Sequence, residues 1–201
     1  MHFSLDACSV EPSHGCVECL EIVSWDGHAL ACMPRTRLTP EFCRAAVKSY
    51  PAVFPWVPEE LMTPELCSIA VGHDGSVLVS VPDHLLTLEL CSLAVRGSGC
   101  ALSSVPDRFR TIEVCSLAVR SDGQSLAYVP EAMLTPELCE IAVRQSGEAL
   151  EFVPLHLRTV SLCSLACKSS PSAMRHVPVR CPCCNAHLLP ESLAPIWKAT
   201  M

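Results

Sequence analysis

Between Thr63 and Pro82 the chain reads TPELCSIAVGHDGSVLVSVP, and its apolar positions follow the period of a helix. At roughly 100° per residue, Leu66, Cys67, Ile69, Ala70 and Val71 cover one broad face, while Glu65, Ser68 and Gly72 share a narrow strip opposite. Further along, the same polar strip is Glu137, Glu140 and Arg144. A strand would place Glu65, Cys67, Ile69 and Val71 on one side and Leu66, Ser68 and Ala70 on the other, mixing polar and apolar on both faces. After Gly75 or Gly147, SVLVS or EALEF supplies a second, very short helix with Leu78 or Leu150 inward. A Val-Pro pair then breaks it and opens a turn that ends at Leu61, Leu85 or Phe109.

Local signals agree with the helical reading. Thr63-Pro64 and Thr135-Pro136 pair an N-cap with proline at the first helical position. Glu41, Glu65, Glu89, Glu113 and Glu137 fall in the first turn, where a carboxylate suits the positive end of the helix dipole. Lys48, Arg96, Arg120, Arg144 and Lys168 fall near the other end. Gly75, Gly99, Gly123 and Gly147 are expected to stop the helices, with Pro51 and Pro171 taking that part in two units.

The pattern repeats with a fixed interval. Val57-Pro58, Val81-Pro82, Val105-Pro106, Val129-Pro130, Val153-Pro154 and Val177-Pro178 are 24 residues apart, and Met33-Pro34 extends the series upstream. Cys19, Cys43, Cys67, Cys91, Cys115, Cys139 and Cys163 keep the same spacing, as do the threonines from Thr39 to Thr159. A fixed period of this length marks a solenoid, whose units bury their apolar faces by stacking. The expected fold is all-α: a right-handed α-solenoid of about seven 24-residue two-helix repeats over 9–176, after a lead-in at 1–8 and before an irregular, cysteine-rich C-terminal cap at 177–201. The alternative is a leucine-rich-repeat-like solenoid, which also accommodates 24 residues but requires a strand with Leu-x-Leu and a following Asn. Glycine stands where that Asn belongs.

Composition narrows the function classes. Half of the 201 residues are apolar and 17% are charged, which is too hydrophobic for a disordered chain. No stretch longer than ten residues lacks Asp, Glu, Lys and Arg, so no membrane span is expected. The opening MHFSLDACSVEP has no basic n-region and meets Asp6 early, which argues against a secretory signal peptide. A net charge of −7 and an aromatic content of 5% argue against nucleic acid as partner.

Fifteen cysteines raise the question of disulfides or metal. Equivalent residues in stacked helical layers are roughly 8–10 Å apart, beyond the ~7 Å that a disulfide tolerates between Cα atoms. Cys43, Cys67, Cys91, Cys115, Cys139 and Cys163 are therefore expected to be small buried residues filling a recurring slot, in a reducing, cytoplasmic compartment.

Aligned on this beat, TPELCEIAVRQSGEALEFVPEAML resembles a bacterial helical repeat family known only as a domain of unknown function. The matching positions are Glu137, Ala142-Val143-Arg144, Gly147, Ala149-Leu150 and Phe152, and the resemblance covers about four fifths of the chain. Cysteine at the column and Val-Pro at the junction depart from the family pattern. Members occur in bacteria that deliver proteins into eukaryotic hosts, so the resemblance implies a repeat module and an effector delivered into a host cell, with no catalytic residues to carry over.

Three groups of residues are candidates for function. Trp56, Tyr128, Phe152 and His176 share the last position of their units, where other units carry Ser80 and Ser104; varied residues at a fixed slot, with aromatics among them, point to partner binding. Arg96, Arg120 and Arg144 would add a basic ridge. Cys181, Cys184 and His187 have a spacing compatible with zinc, and His176, Cys163 or Cys167 could complete the four ligands. No His, Ser and Asp set suggests catalysis. The resulting expectation is a protein–protein interaction scaffold, not an enzyme, with no cofactor and a protein as its partner. The alternative is a zinc- or thiol-dependent regulator centred on Cys181, Cys183, Cys184 and His187.

Overall fold

The structure is a computed structural model and describes residues 38–178. Its repeating element begins at threonine. Thr39, Thr63, Thr111, Thr135 and Thr159 have extended backbone and accept a hydrogen bond from the N–H three residues on; Thr87 accepts one from Leu90 at 3.2 Å. Each cap satisfies a donor that the first helical turn would otherwise orphan. The α-helices so started are α1 Pro40–Ser49, α2 Pro64–His73, α3 Leu88–Gly97, α4 Ile112–Ser121, α5 Pro136–Gln145 and α6 Val160–Ser169. Ten-residue helices are marginal alone, and each is held by burying the same face, as α5 does with Leu138, Cys139, Ala142 and Val143.

The short second helix is a six-residue 3₁₀ helix, such as Gly75–Ser80 or Gly147–Phe152. The turn after Val-Pro is a single 3₁₀ turn, such as Glu59–Leu61 or Asp107–Phe109. No strand occurs among the described residues, which removes the leucine-rich-repeat alternative there.

The described residues divide into two compact units, the first ending at Gly97 and the second beginning at Ser98. In the first, α1 packs on α2 and α2 on α3, while Pro51–Trp56 packs on Gly75–Ser80. Its core includes Phe42, Val53, Phe54, Leu66 and Leu78. In the second, α4, α5 and α6 pack in series, and so do Gly99–Ser104, Gly123–Tyr128, Gly147–Phe152 and Pro171–His176. Leu102, Leu126 and Leu150 lie fully buried between the two ranks. Within each unit the chain is therefore a series of all-helical layers. The lead-in at 1–8, the whole first repeat at 9–32, the start of the second at 33–37 and the C-terminal cap from 179 on lie outside the described residues.

The glycines correct one expectation. Helices α2 and α5 end at Asp74 and Ser146 with φ of −143° and −144°, and no described glycine has a positive φ. Gly75, Gly99, Gly123 and Gly147 thus do not halt the helices by a left-handed turn; each is the first residue of a 3₁₀ helix. Glycine is needed there because the next layer comes too close. A Cβ on Gly147 would lie 2.5 Å from the Ala166 carbonyl oxygen, and one on Gly99 would lie 2.6 Å from that of Ala118.

Candidate binding face

Each 3₁₀ helix presents its last residue beside the buried valine of Val-Pro. Val57 is 3% exposed and anchors Trp56, which is 46% exposed. Tyr128, before buried Val129, is 42% exposed. Phe152 is half-buried, as are Ser80, Ser104 and His176. One position earlier, Val79 is 73% exposed. The aromatic slot thus contains two outward-facing rings, Trp56 in the first unit and Tyr128 in the second.

In the first unit an open groove of about 630 Å³ runs beside this slot. Val57, Met62, Val79 and Val81 supply its apolar lining, with Glu59, Asp83 and His84 among them. His84 Nδ1 is 3.7 Å from Glu59 Oε1. Arg96 is exposed at the end of α3.

In the second unit, Arg120 and Arg144 are exposed near the ends of α4 and α5. Arg144 is tied to its own helix, donating from Nη2 to Glu140 Oε1 at 2.6 Å. The 3₁₀ helix that ends at Phe152 also carries Glu148, which accepts from Ser170 at 3.3 Å, from Ser172, and from Arg175 at 2.7 Å. The hydrogen bond from Ser172, with those of Arg175 and Ser170, holds the Glu148 carboxyl below the usual carboxylate range despite the opposing effect of burial.

Several of these contacts carry no periodic signature. Arg158 donates from Nε to the Val153 carbonyl at 2.8 Å, from Nη2 to that of Glu151 at 3.0 Å, and from Nη1 to that of His176 at 2.5 Å. Arg110 does likewise toward Val105 and Ser103. Leu and Met fill this position at Leu134 and Met62, so a change of residue type at a fixed position is the signal that exposes the arginines. A polar ladder also links successive layers of the second unit: Cys100 Sγ donates to Asp122, Gln124 Nε2 to Ser146, and Ser170 Oγ to Glu148.

The column cysteines Cys43, Cys67, Cys91, Cys115, Cys139 and Cys163 are at most 1% exposed, and none of them forms a disulfide. Burial pushes the Cys43 and Cys139 thiols up to about 11 and raises Cys67 and Cys115 as well. Such thiols are poor nucleophiles and poor metal ligands, since both roles need the thiolate.

Of the zinc candidates, Cys181, Cys184 and His187 lie outside the described residues, as does Cys183. His176 Nε2 accepts a hydrogen bond from Arg175 Nε at 2.8 Å. Among the described residues no group of three or more His, Cys, Asp and Glu is arranged to hold a metal ion. Nor is any described helix long and apolar enough to cross a membrane.

Comparison with protein-family models, with curated proteins and with solved structures gives no significant match to this chain.

Proposed function

We propose that this protein is a repeat scaffold for protein–protein interaction, and that its partner docks on the aromatic slot of the 3₁₀ rank. The observation that carries this reading is the exposure of Trp56 and Tyr128 on backbone held fixed by buried Val57 and Val129. Rigid, amphipathic rings lose little conformational entropy on binding and are enriched at interface hot spots. Phe152, half-buried at the same slot, lends apolar support, and Arg96, Arg120 and Arg144 supply polar contacts at the helix ends.

From the resemblance to helical repeats of host-associated bacteria we further propose that the partner belongs to a eukaryotic host cell and that the protein acts there as a delivered effector. A reducing cytoplasm fits a chain whose column cysteines are buried and form no disulfide. The reading assigns the chain no catalytic step.

An affinity capture from host lysate tests it. The unaltered chain should retain a saturable partner, and a chain carrying Trp56→Ala, Tyr128→Ala and Phe152→Ala should lose it while keeping its circular dichroism spectrum. Unchanged capture by the substituted chain would remove the aromatic slot from the account.

A further inference from the structure

The residue that caps each six-residue 3₁₀ helix varies from layer to layer: Tyr50, Asp74, Ser98, Asp122, Ser146 and Ser170. The residue after it is glycine or proline. At 75 and 123 packing demands glycine, since a Cβ would run into the carbonyl oxygen of Ala94 at the first and of Ala142 at the second. A layer capped by aspartate is therefore obliged to carry Asp-Gly. In that dipeptide the amide nitrogen reaches the preceding carboxyl carbon most easily, because glycine has no side chain in the way. Asp26-Gly27 has the same register in the sequence and lies outside the described residues.

The two described aspartates differ in a single contact. Asp74 has φ −143° and ψ 105°, and Asp122 has φ −147° and ψ 116°. Both are half-buried and precede a buried glycine. Each accepts through Oδ1 from the N–H two residues on, Ser76 or Gln124, at 2.9 Å. Asp122 Oδ2 also accepts from Cys100 Sγ at 3.1 Å. For Asp74 the residue corresponding to Cys100 is Ala52, which has no side-chain donor.

We propose that Asp74 is a site of spontaneous main-chain isomerisation in this protein, and that it reacts ahead of Asp122. Once its carboxyl swings off the Ser76 N–H, the Gly75 nitrogen loses its proton and attacks Cγ. The N–Cγ bond forms, a Cγ–O bond breaks and water leaves, closing a succinimide ring. Water then opens the ring at either carbonyl. Opening at the former main-chain carbonyl routes the chain through Cγ, as isoaspartate, one main-chain carbon longer. Water is the only co-reactant. At Asp122 the Cys100 thiol must be released as well, which slows the same reaction. The extra carbon at Asp74 falls beside a glycine with no clearance toward Ala94, so the product loosens a layer contact of the first unit. Nothing in this assignment depends on the scaffold reading.

The full chain is kept folded in mildly acidic, reducing buffer made with heavy-oxygen water, and label is located by peptide fragmentation in a mass spectrometer. Each ring opening leaves one heavy oxygen behind. Asp74 should gain label about threefold faster than Asp122, the effect of one weak hydrogen bond to a carboxylate. Cys100→Ala, which copies Ala52, should raise the Asp122 rate to that of Asp74 and leave Asp74 unchanged. In concentrated urea, where both aspartates lose their contacts, the two rates should coincide. Label at Asp122 that matches or outruns Asp74 in the unaltered folded chain overturns the proposal, and so does a difference that survives Cys100→Ala or urea.

Discussion

An alanine Cβ at position 147 would meet the Ala166 carbonyl oxygen at 2.5 Å and the Ser170 Cβ at 2.8 Å. Backbone on one side leaves nothing to rotate away, so Gly147→Ala is expected to cost about 1–3 kcal/mol, read as a lower urea midpoint. Gly72, inside α2, has only Leu93 Cδ2 at 3.7 Å. Gly72→Ala should therefore stabilise by about 0.5–1 kcal/mol through helix propensity alone. Ser125 is the converse case, a fully buried hydroxyl with no hydrogen-bond partner among the described residues. Ala101, Ala149 and Ala173 occupy its position in other repeats and are buried, so Ser125→Ala should gain about 1 kcal/mol or more. For the column thiols the sign of the pH effect is fixed by burial. Cys43 and Cys139 titrate near 11 when folded, against 9.0 as the ordinary value. Their stabilising contribution is complete below pH 9 and is lost as pH rises from 9 through 11, because only the unfolded chain releases those protons readily. Urea midpoints should fall across that window, and less steeply in a Cys43→Ala, Cys139→Ala chain.

Elements differ in how openly the sequence declares them. Helix starts were legible because capping is local: Thr135 accepts from Leu138, three residues away, at 3.2 Å. Thr135→Ala should cost about 1 kcal/mol in thermal or urea unfolding. Why glycine follows the helix ends is hidden for the opposite reason. The rule that glycine stops a helix concerns φ, whereas Gly147 answers to the distance of a helix one layer on, which no local rule contains. The 3₁₀ braces were similarly hidden, since Arg158 reaches carbonyls 5, 7 and 18 residues away. At the candidate site, the slot shared by Trp56, Tyr128 and Phe152 was visible from spacing. Their unequal exposure, and the groove around Val79, depend on what the neighbouring turn covers. Arg158→Leu, which installs the residue type found at Leu134, should weaken the second unit by about 1–3 kcal/mol through loss of charge-assisted bonds to carbonyls.

On the scale of the molecule, the 24-residue interval is a statement about layers. A chain that restates one cap, one cysteine and one Val-Pro does so because each layer offers its neighbour the same surface. Within each unit the cysteine column follows from that repetition, as a residue small enough and apolar enough for a slot closed by the adjoining helix. Native-state alkylation with a neutral maleimide, read peptide by peptide by mass spectrometry, tests this most directly. Cys43, Cys67, Cys91, Cys115, Cys139 and Cys163 should stay unmodified until the chain unfolds, while Cys100, an exposed thiol, is labelled in the folded protein. Labelling of any column cysteine as fast as Cys100 under native conditions would contradict the account.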